Sequence, residues 1–98
     1  MITGAAIAAD ATVTVNSQAV ACDLEGEVVI LNLESGVYFG LNAVGGDIWN
    51  YIQTEHTVED IIQHLLQEYR VERSRCEAEV TALLHTMSTR GLVKIESR

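Results

Sequence analysis

The spacing of apolar residues changes at Asn42. Before it, apolar side chains alternate with polar ones or run together in short segments set apart by glycine-bearing turns; after it, they recur every three or four residues. A period near two builds strands and a period near 3.6 builds helices. The chain therefore reads as a β-rich first part followed by a helical second part, and at 98 residues the two share one core. In the first part, residues 1–11 are Ala-rich and read as a flexible N-terminus, leaving 12–98 as the domain. Thr12–Asn16 alternates as an extended lead-in, and Ala19–Asp23 is a short strand. Glu27–Asn32 carries consecutive β-formers. Val37–Leu41 alternates, with Val37, Phe39 and Leu41 on one face and Tyr38 and Gly40 on the other. Leu24-Glu25-Gly26, with Gly26 free to take positive φ, and Glu34-Ser35-Gly36 are the turns, so the three strands form an antiparallel meander.

Helical signals then follow in order. Asn42 is an N-cap for a helix over Ala43–Ile52, with Val44, Ile48, Trp49 and Ile52 on one stripe. Thr57 caps a second helix running to about Tyr69, whose Val58, Ile61, Ile62, Leu65 and Leu66 match the amphipathic template. Ser74-Arg75-Cys76-Glu77 reads as a capping box for the third helix, with a start at Glu72 as the alternative. Cys76, Val80, Leu83, Leu84 and Met87 form its buried face, and Gly91 stops it with Leu92 folding back. Val93–Glu96 alternates as a short final strand.

The charge excludes some functions. The net charge is −8, and all six Lys and Arg residues lie from Arg70 onward. A chain with so few cations cannot neutralise many phosphates, which argues against nucleic acid and anionic membrane as partners. A DNA-binding helix would need exposed cations and amides; the third helix offers Arg75 and Arg90 with Glu77 and Glu79 between. No apolar run is long enough to span a bilayer and no signal peptide is evident, so a cytoplasmic location is expected. Cys22 and Cys76 show no metal-ligand spacing and read as two buried, reduced thiols. No catalytic set emerges. Cys76 and His85 fall on opposite faces of one helix, Asp60 and His64 with Glu59 read as a solvated helix face, and Gly45-Gly46 lacks the residues of a phosphate loop and reads as close helix–sheet packing. No enzyme activity, metal or cofactor is expected.

Val37–Leu41 is unusual for a strand at the margin of a sheet. Edges are normally protected by charge, proline or a bulge, and this segment has neither charge nor proline. Either another segment covers it, such as the final strand or a helix, or it stands open to receive a peptide as an added strand.

The run Gly36-Val37-Tyr38-Phe39-Gly40-Leu41-Asn42-Ala43-Val44-Gly45-Gly46-Asp47-Ile48-Trp49 resembles the signature of the PqqD family. So do Thr57-Val58-Glu59-Asp60, Tyr69-Arg70-Val71 and the stretch from Glu79-Val80 through Leu83-Leu84 and Met87 to Gly91-Leu92-Val93. The chain departs from the family at Glu72-Arg73-Ser74, where relatives often carry Asp-Pro. The resemblance implies a winged-helix-like α+β domain of three antiparallel strands followed by three helices. It also implies a recognition element for ribosomally synthesised, modified peptides (RiPPs), most like the stand-alone peptide chaperones of lasso-peptide biosynthesis. Such a domain binds the leader of a precursor peptide and presents it to a leader peptidase and an ATP-dependent cyclase. A radical-SAM partner, as for PqqD itself, and an acidic winged-helix adaptor are the alternatives. By the same resemblance the leader adds to the third strand, at Val37, Tyr38, Phe39, Gly40 and Leu41, and lies against the third helix. There, Glu79, Ala82, Leu83 and Thr86 are the expected groove residues, with the flank of Glu77, Leu84 and Ser88 as the other choice. The acid-rich strand half would draw in a leader carrying Lys or Arg. Arg70, Arg73 and Arg75 cluster where a helix starts, against its dipole. They read either as partners of Glu68, Glu72 and Glu77 or as a docking patch for an enzyme.

Overall fold

The computed structural model describes residues 7–25 and 27–97. In chain order the elements are β1 (Thr12–Val15), β2 (Ala19–Leu24), β3 (Glu27–Asn32), β4 (Tyr38–Leu41), α1 (Ala43–Tyr51), β5 (His56–Thr57), α2 (Val58–Glu68), α3 (Arg73–Thr89) and β6 (Val93–Glu96). The meander forms as expected: β2, β3 and β4 make an antiparallel sheet in that order, followed by the three helices. Gly26 lies outside the described residues, and Glu25 before it takes positive φ (52°).

A second small sheet has the order β5-β1-β6, all antiparallel. The lead-in segment is thus a central strand, and the final strand pairs with it through Val13↔Ile95 and Val15↔Val93. Of the segment 1–11, residues 1–6 lie outside the described residues. The rest is anchored: Ala11 is buried, and the carbonyls of Ala9 and Ala11 accept from the backbone N–H groups of Glu59 and Val58. These bonds satisfy donors that the first turn of α2 would otherwise leave unpaired.

Local chemistry sets the helix ends. Asn42 Oδ1 accepts from Gly45 N–H at 2.8 Å and starts α1. Gly45 and Gly46 are where α1 presses on the sheet: a Cβ at Gly46 would sit 3.2 Å from Val28 Cγ2, and one at Gly45 would sit 3.0 Å from Leu41 Cδ2. Thr57 and Asp60 form a reciprocal capping box on α2, each side chain accepting from the other's backbone N–H at 3.1 Å. The third helix departs from the Ser74 box. It starts at Arg73 with Glu72 as its N-cap, and Ser74 Oγ donates to the Glu72 carboxylate instead of capping. Arg73 bridges Glu59 on α2 and Glu77 on α3, which holds the helix start two residues earlier, at the alternative Glu72. At the far end, Gly91 N–H donates to Ser88 O and Leu92 N–H to Met87 O, a Schellman stop with Gly91 at φ 72°.

The core lies between the two sheets and the helices. It includes Val13, Ile30, Ile48, Ile52, Ile61, Leu84, Met87 and Leu92, all at or near zero exposure. Three expectations of burial change. Leu83 is only half-buried, Val44 is exposed, and Cys22 is exposed because it sits on the outer face of β2, which no other element covers among the described residues.

The α2 cap makes a first prediction. Thr57→Ala removes one acceptor of the box and lowers stability by about 1 kcal/mol. The Thr57 backbone N–H also holds the Asp60 carboxyl below its ordinary range. A depressed carboxyl stabilises the fold above its unfolded value, near about 3.9, and loses that contribution as pH falls through the folded value. Asp60→Asn therefore lowers the urea midpoint at neutral pH, and its difference from wild type narrows once both are measured below the folded value.

Candidate functional site

β4 is an edge strand whose only partner among the described residues is β3. Its register with β3 pairs Ile30 with Phe39 and Val28 with Leu41, and Asn32 N–H donates to Val37 O at 2.8 Å. Antiparallel pairs alternate between hydrogen-bonded and non-hydrogen-bonded. Phe39 and Leu41 thus spend their backbone groups on β3, and the N–H and C=O of Tyr38 and Gly40 point away from it. The final strand, which would have been the simplest cover for this edge, is committed to β1 in the other sheet.

Beside this edge lies a cleft of about 580 Å³ between β4 and α3. Phe39, Gly40 and Leu41 line one wall and Glu79, Ala82 and Leu83 the other, with Ile48, Leu65, Cys76 and Val80 below. The floor is apolar and closely packed, for Ile48, Leu65, Cys76 and Val80 are each at most 4% exposed. Burial, then the Glu79 charge, pushes the Cys76 thiol up, so it lines the floor as a small apolar group. Glu79 sits at the mouth, paired with Arg75 Nε at 3.1 Å.

The structure thus brings six of the nine expected residues to one cleft. The other three stand outside its lining. Tyr38 is 70% exposed with its side chain on the outer face of the sheet, as alternation requires. Val37 precedes the strand. Thr86 lies a helical turn beyond Ala82, to whose carbonyl its hydroxyl donates at 3.1 Å. Near that end the Arg90 guanidinium lies over the Phe39 ring, 5.1 Å from its centroid. Of the opposite flank, Leu84 is fully buried and Glu77 is held by Arg73.

Sequence reasoning missed the other end of the cleft, made by Tyr69 and Val71 in the α2–α3 connection, and Asn42 and Val44 at the start of α1. The apolar Tyr69 and Val71 in a short link between helices were the available signal. Tyr69 is held from behind: its hydroxyl donates to Asp47 Oδ2 at 3.3 Å, and Asp47 Oδ1 is 3.0 Å from His64 Nε2. His64 stacks on Tyr51, which stacks on His56, with centroids 4.2 and 4.0 Å apart. Partial desolvation and the Asp47 carboxylate raise the Tyr69 hydroxyl above its usual range. Asp60 and His64 do not act together: Asp60 caps α2 and His64 faces Asp47.

The cations separate. Arg73 pairs with Glu59 at 2.6 Å and with Glu77, and Arg75 pairs with Glu79. Arg70 makes no ion pair among the described residues. No group of three or more potential metal ligands occurs among the described residues, nor a helix long and apolar enough to cross a membrane.

Two solved structures share this architecture. One is described as TbiB1 in complex with the TbiA(beta) leader peptide, at 30% identity and a TM-score of 0.74, covering 83% of this chain and 94% of that one. The other is described as lasso peptide synthetase B1 complexed with the leader peptide, at 25% identity and a TM-score of 0.72, covering 84% and 96%. No curated protein matches the chain. Residues 27–93 match the family described as Coenzyme PQQ synthesis protein D (PqqD). Since that match runs from the first residue of β3 to the first of β6, through the open edge, the cleft and all three helices, the chain belongs to the PqqD family.

Proposed function

We propose that this protein binds the leader segment of a ribosomally made precursor peptide as an added strand on β4, with leader side chains seated in the cleft against α3. From there it presents the precursor to a leader peptidase and a cyclase of lasso-peptide biosynthesis. The observation that carries the reading is the free β4 edge beside an apolar cleft: outward backbone groups supply attachment and the cleft supplies choice of side chain. The leader complexes of the two similar structures support it. Arg73 and Arg75 are engaged within the chain, so Arg70 is the member of the cluster best placed to meet an enzyme.

The test is anisotropy of a fluorescein-labelled leader from the precursor. Gly40→Pro removes an N–H that points away from β3, and an added Cβ at Gly40 meets nothing within 4 Å. Proline is tolerated at an edge whose N–H faces solvent. The variant keeps its unfolding midpoint and binds the leader about tenfold more weakly or worse, the cost of a lost hydrogen bond in a closed contact. Affinity equal to wild type in the folded variant refutes strand addition here.

Side-chain truncation should split by face. Phe39→Ala empties one wall of the cleft and weakens binding by about 1–3 kcal/mol. Tyr38→Ala, on the outer face, leaves the midpoint unchanged and costs less binding than Phe39→Ala. Identical leader affinities for the two folded variants would count against the cleft as the anchor site.

A further inference from the structure

We propose that the outer face of the β2–β3–β4 sheet docks a second protein while the leader is held, one presenting an apolar patch flanked by Lys or Arg, and that this protein is the enzyme that cleaves the leader. The inference rests on the leader reading above and adds a separate surface to it.

Directly paired residues share a face of an antiparallel sheet. One face carries Ile30, Phe39 and Leu41 inward. The other therefore carries the row Val20–Leu31–Tyr38 and, beside it, the row Cys22–Val29–Gly40, with Leu24 at the end opposite Glu27. Val20 is 43% exposed, Leu24 53%, Leu31 36% and Tyr38 70%, and Cys22 is exposed as well. A solvated sheet face normally alternates polar residues outward. Here the outward positions are apolar in all three strands except Glu27 at the start of β3, and a contiguous patch of this kind marks an interaction surface.

Charge selects the occupant. The patch interior holds no charged residue, while Glu25 and Glu27 border it at one end and Glu34 lies in the β3–β4 turn at the other, all exposed. No Lys or Arg occurs before Arg70. A second copy laid on this face would bring these acids against their own kind, which costs rather than gains. A partner with cations around an apolar centre meets the pattern. Position selects the enzyme: the Tyr38 side chain and the bare backbone of Gly40 lie on this face, and the backbone N–H and C=O of both point outward from the edge. A protein seated here therefore abuts the held leader without displacing it, and cutting the leader requires reaching the chain nearest to that segment.

The probe is the purified leader peptidase, tested with leader bound. Cys22 lies within the patch and Cys76 is buried, so maleimide labelling reads the face directly. The peptidase should slow Cys22 labelling at least about fivefold, and leader alone should not, as expected for a residue inside a water-excluding interface. The double variant Val20→Lys, Leu31→Lys sets cations against the partner's cations. It should bind the fluorescein-labelled leader within about twofold of wild type and slow precursor cleavage about tenfold or more. Unprotected Cys22 with normal cleavage by the double variant overturns the docking face and leaves leader binding standing. Protection by the cyclase in place of the peptidase, or concentration-dependent protection without any enzyme, overturns the choice of occupant. Failure of the wild-type protein to bind leader overturns both readings.

Discussion

Ala82→Trp abolishes useful leader binding while the domain stays folded. Ala82 is an exposed residue on the α3 wall of the cleft, across from Phe39 and Gly40. An indole there projects into the space that a leader side chain would fill, and its own helix position stays unstrained because nothing of the core is displaced. We expect the affinity for a labelled leader to fall about a hundredfold or more, equivalent to about 2.7 kcal/mol, with the thermal midpoint moved by no more than a degree or two. Ala82→Ser, which leaves the space open, should bind like wild type. Unchanged affinity for the folded Trp variant would place the leader somewhere other than this cleft.

Asn32→Ala produces the largest loss of stability expected from a single polar side chain in this protein. Asn32 is the one buried polar residue among those described, at 4% exposure. Its Oδ1 accepts from the backbone N–H groups of Glu34 at 2.9 Å and Ser35 at 3.2 Å, which closes the β3–β4 turn. Its Nδ2 donates to Gly91 O at 3.0 Å, the carbonyl that also accepts from Asn16 Nδ2 at 2.7 Å. One amide thus joins the turn before the binding strand to the stop of α3 and, through Asn16, to the end of β1. Truncation strips partners from two donors and one acceptor, and we expect about 2–3 kcal/mol from urea unfolding. Asn32→Asp keeps the acceptor and loses the donor, setting a carboxylate against the Gly91 carbonyl; it should be at least as damaging at neutral pH. A loss below about 0.5 kcal/mol for Asn32→Ala would mean that water replaces the amide at no cost. Since the same turn positions β4, leader binding should fall in Asn32→Ala beyond what unfolding explains.

What was legible in the sequence was mostly local. The Asn42 and Thr57 caps, the Gly91 stop and the period change at Asn42 depend on side chains a few residues apart, and on the φ that glycine alone takes without cost. The uncharged edge of Val37–Leu41 follows from alternation, whereas helical phase left two flanks of α3 open, and only the folded chain puts the cleft on the side of Glu79 and Ala82. Family resemblance supplied the idea of a leader, which periodicity cannot. The Ser74 box failed because a competing ion pair from Arg73 to Glu59, on another helix, set the start of α3.

Tertiary structure decided the rest, because period reports which face a residue occupies and not which distant segment meets it. Nothing near Thr12 indicates that β1 pairs with β6 at the other end of the chain, and that pairing keeps β6 off the β4 edge, which no described residue covers. Cys22 reads as a buried thiol, yet no layer lies over it or over its neighbour Val20 among the described residues. Tyr69 reaches the cleft only because α2 ends beside α1, where Asp47 holds its hydroxyl. The sequence by itself determined the elements and their apolar faces, since backbone hydrogen bonding and side-chain period act within a few residues. The open edge, the cleft and the apolar outer face were decided only when contacts far apart in sequence assigned each face a neighbour or left it without one.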